Sequence, residues 1–326
     1  MSAASHMPIR ISIPVTPDNF TRAETDLYFG KIVREGGFGQ FHHNRQLTAP
    51  ERQFSVRPNR DTLYSGAVFD LAAGPVTIIF PHSGARFMSM MIVDEDEYVL
   101  GVIYRHGRYT YARDTVRTRY LCAAVRTFAD AGDPADLIEV HALQDAIRVK
   151  QKSPGRFEIP DWDAASQKEM RDALAILGKY LPDSRSIFGM KEHVDPVRHL
   201  IGAAVGWGGN PERDASYTMV TPAWNDGNTA HRLRVKDVPV DGFWSVTVYT
   251  KDGYLEKNSL NAYSVNNVTA KKDGDGAVTI QFGGDPNKAA NYLPVTPGWN
   301  YTVRMYRPHP EILDGRWRFP DAQPIR

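Results

Sequence analysis

Apolar positions along this chain recur at two spacings, and the change from one to the other marks its elements. Phe20, Ala23 and Leu27 repeat at helical intervals. They follow Thr16 and Pro17, a capping residue and a first-turn proline, and Gly36-Gly37 closes the run. Asp133-Pro134 repeats that start ahead of Leu137, Val140 and Ile147. Met170, Leu174, Leu177 and Leu181 form one apolar stripe, which predicts a third, core-facing helix. A fourth is predicted from Pro196 to Val205, stopped by Gly208-Gly209. Elsewhere the runs are short, β-branched and aromatic. Val76–Phe80, Arg119–Arg126, Tyr217–Thr221, Ala277–Phe282 and Trp299–Tyr306 read as strands. Asp273-Gly274-Asp275-Gly276 reads as a hairpin turn.

One segment occurs twice. Phe87-Met88-Ser89-Met90-Met91-Ile92 resembles Phe243-Trp244-Ser245-Val246-Thr247-Val248. Tyr98 and Tyr254 each lie eleven positions after the leading phenylalanine. Each half then ends in a long aromatic strand, Tyr120–Arg126 and Trp299–Tyr306. The pattern predicts a mainly β protein with peripheral helices, two antiparallel β-sandwiches related by internal duplication. The expected division is 14–150, a helical segment at 151–211, and 212–326.

Composition narrows the function classes. The 326 residues carry 39 Lys and Arg against 38 Asp and Glu, so no global field draws in nucleic acid or an anionic membrane. No apolar run approaches the roughly 20 residues that span a bilayer. Cys122 is the single cysteine, which excludes an internal disulfide or a cysteine metal cage, and its apolar flanks predict a buried thiol. Met1–Met7 has neither the basic nor the apolar region of a leader, and Ser5-His6-Met7 resembles a cloning scar. The expected compartment is the periplasm or the exterior if a leader has been removed, and the cytoplasm otherwise.

Several motifs resemble a bacterial two-domain family. Asn59-Arg60-Asp61-Thr62-Leu63-Tyr64-Ser65 resembles the signature of domain of unknown function twelve-fifty-four. Asp195–Ile201 and Gly206-Trp207-Gly208-Gly209-Asn210-Pro211 resemble its central segment. Gly242–Tyr249, Asn261-Ala262-Tyr263-Ser264, Gly298-Trp299-Asn300-Tyr301 and Ile312-Leu313-Asp314-Gly315 resemble the partner domain twelve-fourteen. The resemblance implies two jelly-roll-like sandwiches, similar to the double jelly roll of large DNA-virus capsids. It also implies oligomers and export in some members, and no settled activity. Where relatives carry cysteines after the equivalents of Gly283-Gly284, this chain has Asp285-Pro286-Asn287, so no crosslink forms there.

Candidate chemistry is sparse. Adjacent His42 and His43 point to opposite faces of a strand, and His193 and His199 lack the spacing of a helical zinc pair, so no metal or cofactor is expected. Phosphate-cradling glycine loops and a nucleophile elbow are missing. Asp94-Glu95-Asp96-Glu97 reads as a solvated turn, because four adjacent charges are cheap only in water. In Asn59–Tyr64, an extended backbone would place Arg60, Thr62 and Tyr64 on one face and Asp61 on the other. The candidate catalytic set is Arg60 as an anion fork, Asp61 as a base and Tyr64 as an acid. Asn59 and Asp61 also suit a purely structural turn. Asn59, Arg198, His199, Trp207, Asn210 and Tyr254 are candidate ligand-binding residues, with Trp207 equally suited to a cleft wall or to the core. Two functions are expected: a metal-independent hydrolase or lyase acting on a small polar or carbohydrate-like substrate at an inter-lobe cleft, or a non-catalytic ligand-binding or self-assembling jelly-roll protein. The expected partners are a small-molecule or carbohydrate ligand and further copies of the chain.

Overall fold

The computed structural model describes residues 12–53 and 56–325, so the reading of Met1–Met7 lies outside the described residues. Helix α1 (Phe20–Arg34) precedes β1 (His42–His43), β2 (Thr62–Asp70), β3 (Val76–Phe80), β4 (Met88–Asp94), β5 (Val99–Ile103) and β6 (Gly107–Tyr111). Next come α2 (Arg113–Val116), β7 (Tyr120–Phe128), α3 (Pro134–Asp145), β8 (Arg148–Lys150), α4 (Ala164–Gly178) and α5 (Pro196–Gly206). The second half contains β9 (Ala215–Val220), β10 (His231–Val235), β11 (Trp244–Tyr249), β12 (Ser264–Asn266) and β13 (Val278–Phe282). It closes with β14 (Tyr292–Leu293), β15 (Asn300–Tyr306), α6 (Pro310–Leu313) and β16 (Gln323–Pro324). The protein is mainly β with helices at its periphery.

Two sheets in each half enclose a core. In the first half the order β1-β2-β7-β4-β5 faces β6-β3-β8. Phe69, Ile78, Phe80, Met90, Ile92 and Leu121 fill the space between them. In the second half β12-β11-β15-β9 faces β14-β13-β10-β16, around Leu233, Val246, Ile280, Phe282, Trp299 and Val303. Pairing is antiparallel except between β13 and β14. Strands such as β3 and β10 alternate buried and accessible positions, the period-two pattern of a strand with one face on a core.

The two halves share one strand order. β5-β4-β7-β2 corresponds to β12-β11-β15-β9, and β6-β3-β8 corresponds to β13-β10-β16, in the same chain sequence. The repeated segments Phe87–Ile92 and Phe243–Val248 fall on β4 and β11, the second strands of corresponding sheets. The turn after each closes alike. Asp94 N–H donates to Tyr98 O at 3.1 Å, and Thr250 N–H donates to Tyr254 O at 2.8 Å.

Four local expectations need correction. α1 begins at Phe20 rather than at Pro17, because Thr16 N–H donates to Asn19 Oδ1 and the chain turns first. Asp133 and Asp195 cap α3 and α5 as expected, but α3 ends at Asp145, short of Ile147. On α4 Leu174 is buried and Leu177 is half exposed, so that stripe is only partly core. Asp273–Gly276 forms a turn but no hairpin, because β12 and β13 lie in different sheets.

Candidate functional site

The halves meet along matching rows of side chains. Tyr64, Arg126 and Ser89 are neighbours across β2, β7 and β4. Tyr217, Arg304 and Ser245 are neighbours across β9, β15 and β11. Phe87 and Phe243 pack at 5.0 Å between ring centres, and Phe243 stacks on Tyr306 at 4.4 Å. Both arginines are buried, and neither forms an ion pair among the described residues. Arg304 donates to Tyr249 Oη and Arg57 O, each at 2.8 Å, and to Thr247 Oγ1 at 3.0 Å. Arg126 donates to Asn210 Oδ1 at 3.3 Å and Gly208 O at 3.1 Å, and lies over the Tyr64 ring. A buried cation is tolerable when hydrogen bonds replace its lost water, and these oxygens supply them.

Two aspartates lock the halves reciprocally. Asp61, just before β2, is 2% exposed and accepts from Ser264 Oγ at 2.8 Å on β12 of the second half. Asp214, just before β9, accepts from Tyr104 Oη at 2.9 Å, just after β5 of the first. Their carbonyls match as well: Ala129 N–H donates to Asp61 O, and Arg307 N–H to Asp214 O.

A cavity of about 380 Å³ opens between the halves. Arg45, Leu47, Pro50, Glu51, Arg60 and Leu137 line it from the first half, and Lys257, Asn261 and Tyr263 from the second. A second cavity of about 150 Å³ shares its Lys257, Asn258 and Tyr263 wall. Arg60 is fixed on three sides. Nη1 donates to Thr48 O at 2.7 Å, Nη2 donates to Asn261 Oδ1 at 3.3 Å, and the guanidinium lies 4.4 Å from the Tyr263 ring centre. Burial in this wall pulls its basicity below the usual arginine value.

The three candidate catalytic residues thus occupy three places. Arg60 faces the cavity, Asp61 turns inward to Ser264, and Tyr64 sits by Arg126. Asn59 braces the segment, donating to Tyr306 Oη at 2.8 Å and accepting from Asp61 N–H at 2.7 Å. Arg198 pairs with Asp183 at 2.5 Å. His199 is buried between Ile187 O and Asp96 O and stacks on Tyr98. Trp207 stacks on Tyr28 at 4.4 Å and donates to Thr25 Oγ1, and so belongs to the helical layer. Asn210 joins Arg126 to Tyr217, donating to the Tyr217 hydroxyl at 3.2 Å. Tyr254 is 39% exposed outside both cavity linings. Of the cavity lining, only Arg60 was among the residues the sequence singled out as site candidates; Arg45 and Glu51 in the first half, and Lys257, Asn261 and Tyr263 far from it in sequence, were missed.

The acidic run is also corrected. Asp94, Glu95 and Glu97 are buried rather than solvated, gathered against Glu24 and Asp26 of α1. Protein donors take the place of water. Tyr120 N–H donates to Glu95, Gly208 N–H to Glu97, and the Trp162 indole to Asp26. Arg22 pairs with Asp96 at 2.6 Å, and Arg171 with Glu24 at 2.6 Å. Loss of solvent raises Asp26 to about 6, Asp94 to about 7 and Glu97 to about 8. Among the described residues, no group of three or more histidines, cysteines or carboxylates is placed to hold a metal, and no helix is long and apolar enough to cross a membrane.

Residues 38–114 match the family described as protein of unknown function DUF1254, and residues 220–310 match the one described as DUF1214. The fold is similar to the crystal structure of the VPA0106 protein from Vibrio parahaemolyticus, with a TM-score of 0.73 at 18% identity over 95% of this chain and 98% of that one. It is also similar to an uncharacterised protein from Burkholderia cenocepacia, with a TM-score of 0.55 at 14% identity over 98% of this chain and 92% of that one. No curated protein matches the sequence.

Proposed function

This chain joins a DUF1254 domain to a DUF1214 domain, and on that premise we propose that it is a ligand-binding protein whose inter-lobe cleft takes a small polar or carbohydrate-like molecule. One observation carries the reading: a cavity of about 380 Å³, within the usual size of small-molecule sites, is walled by both halves around Arg60. The matching strand orders support a duplicated, double jelly-roll origin divided near 14–150, 151–211 and 212–326, in which the cleft is the seam between copies. Binding is favoured over a hydrolase or lyase because the Asp61 carboxyl and the Tyr64 ring lie away from the Arg60 guanidinium. General acid–base work needs such groups within hydrogen-bond reach of one substrate.

A thermal-shift screen over small metabolites and sugars, repeated on Arg60→Ala, tests this. A stabilising ligand whose effect disappears in the variant supports the cleft, and one whose effect survives it removes Arg60 from the site. A self-assembling role has its own support. α4 and α5 pack together and leave Ile176, Leu177 and Val205 half or more exposed, beside the exposed Tyr180 just after α4. Light scattering that shows a monomer at working concentration would exclude it.

A further inference from the structure

The charge of the cleft selects its ligand. Three cations, Arg45, Arg60 and Lys257, line the larger cavity against one carboxylate, Glu51. Arg45 is neutralised by Asp145, and Lys257 by Glu51 at 2.7 Å. Among the described residues, the hydrogen-bond partners of Arg60 are both neutral, Thr48 O and Asn261 Oδ1, and no carboxylate forms an ion pair with it. A guanidinium carries five N–H bonds in a planar fork. Two are used here, which leaves three without a hydrogen-bond partner among the described residues. Tyr263 beneath the fork and Asn261 beside it hold that plane in one orientation before anything binds. A half-buried cation with fixed geometry, neutral hydrogen-bond partners and only the more distant charges of Glu51 and Asp61 acting on it is a preformed anion receptor.

We infer that the ligand of this cleft is a small anion, a carboxylate or a phosphate ester, held by the free N–H edge of Arg60, with Lys257 as a second cation restrained by Glu51. The inference rests on the cleft reading above and adds the ligand's charge to it. Glu51 and Lys257 come from opposite halves, so their exposed pair also ties the two cleft walls together. An anion that draws Lys257 from Glu51 exchanges one weak surface pair for another, so the pair tunes affinity rather than blocking entry.

Calorimetric titration with matched probes tests this: galacturonate against galactose, and glucose 6-phosphate against glucose. At least one anion is expected to bind roughly tenfold or more tighter than its neutral counterpart, with affinity falling as salt rises. Arg60→Ala should abolish that preference, and Arg60→Lys should restore part of it by returning the charge without the fork. Glu51→Gln should tighten the anion by about threefold, because Lys257 is released. Which anion responds distinguishes the carboxylate from the phosphate source. If the neutral sugars bind as tightly and remain sensitive to Arg60→Ala, the anion inference falls while the cleft reading stands. If neither anion binds at roughly 10 mM, the inference falls. Binding that ignores Arg60→Ala overturns both.

Discussion

Arg126 on β7 and Arg304 on β15 occupy the same position in the two halves. Each stands between a tyrosine and a serine on flanking strands, Tyr64 and Ser89 for one and Tyr217 and Ser245 for the other. A buried arginine in mid-sheet is costly unless its fork is satisfied. Its appearance in both halves therefore describes the interface more closely than the apolar contacts do.

Truncating Arg304 should be expensive. Arg304→Ala removes three buried hydrogen bonds and leaves the Arg57 carbonyl without its donor, while Tyr249 Oη keeps Pro58 O and Thr247 Oγ1 keeps Ser264 Oγ, and urea unfolding should report a loss of about 3 kcal/mol. Arg304→Lys should recover only part, since one ammonium cannot reach all three. A loss below about 1 kcal/mol for the alanine variant would mean that the network is not structural.

The pH dependence follows from the buried carboxyls. Asp26, Asp94 and Glu97 are raised by burial to about 6, 7 and 8, so the folded state holds protons that the unfolded chain has already released. Their contribution is complete below about pH 4 and is lost as the pH rises through those folded values. Asp70 and Asp136 run the other way. Burial pushes them up, but bonds from Arg119 and Arg86 outweigh it, and their contribution is lost as the pH falls through their lowered values. The urea midpoint should peak at about pH 4 and decline towards pH 8. Glu97→Gln should flatten the decline between about pH 5 and 8. A midpoint constant over that range in the wild type would contradict the assignment.

Gly242 is a packing position. A Cβ there would lie 2.6 Å from the Tyr306 carbonyl oxygen, a backbone atom that cannot swing away. Gly242→Ala should cost roughly 1–3 kcal/mol and shift the Phe243–Tyr306 stack. Equal thermal midpoints for variant and wild type would show that the loop yields freely.

The reciprocal aspartates predict coupling between the halves. A double-mutant cycle on Asp61→Ala and Ser264→Ala should give about 2 kcal/mol, the contribution of one charge-assisted bond. An interaction energy indistinguishable from zero would mean that the contact holds nothing.

Much of this fold was legible because it is written in local chemistry. β3 follows from a β-branched run between Gly74-Pro75 and Pro81, and α5 from Asp195-Pro196. The sequence likeness of Phe87–Ile92 to Phe243–Val248 falls on β4 and β11, which hold corresponding places in the two strand orders. The Asp94–Glu97 run misled because a charge run reads as solvated unless its donors are known, and Trp162, Gly208 and Arg22 are remote in sequence. The cleft was half legible. Arg60 stands out on its own, whereas Tyr263 and Lys257 meet it only because the chain closes one half against the other.

Hydrogen exchange with and without a ligand found by thermal shift tests the central claim most directly. The account predicts simultaneous protection of residues 45–51 and 257–263, one segment from each half, and loss of both effects in Arg60→Ala. Protection confined to one half, or appearing around Arg198 and His199 instead, would contradict a cleft shared between the lobes.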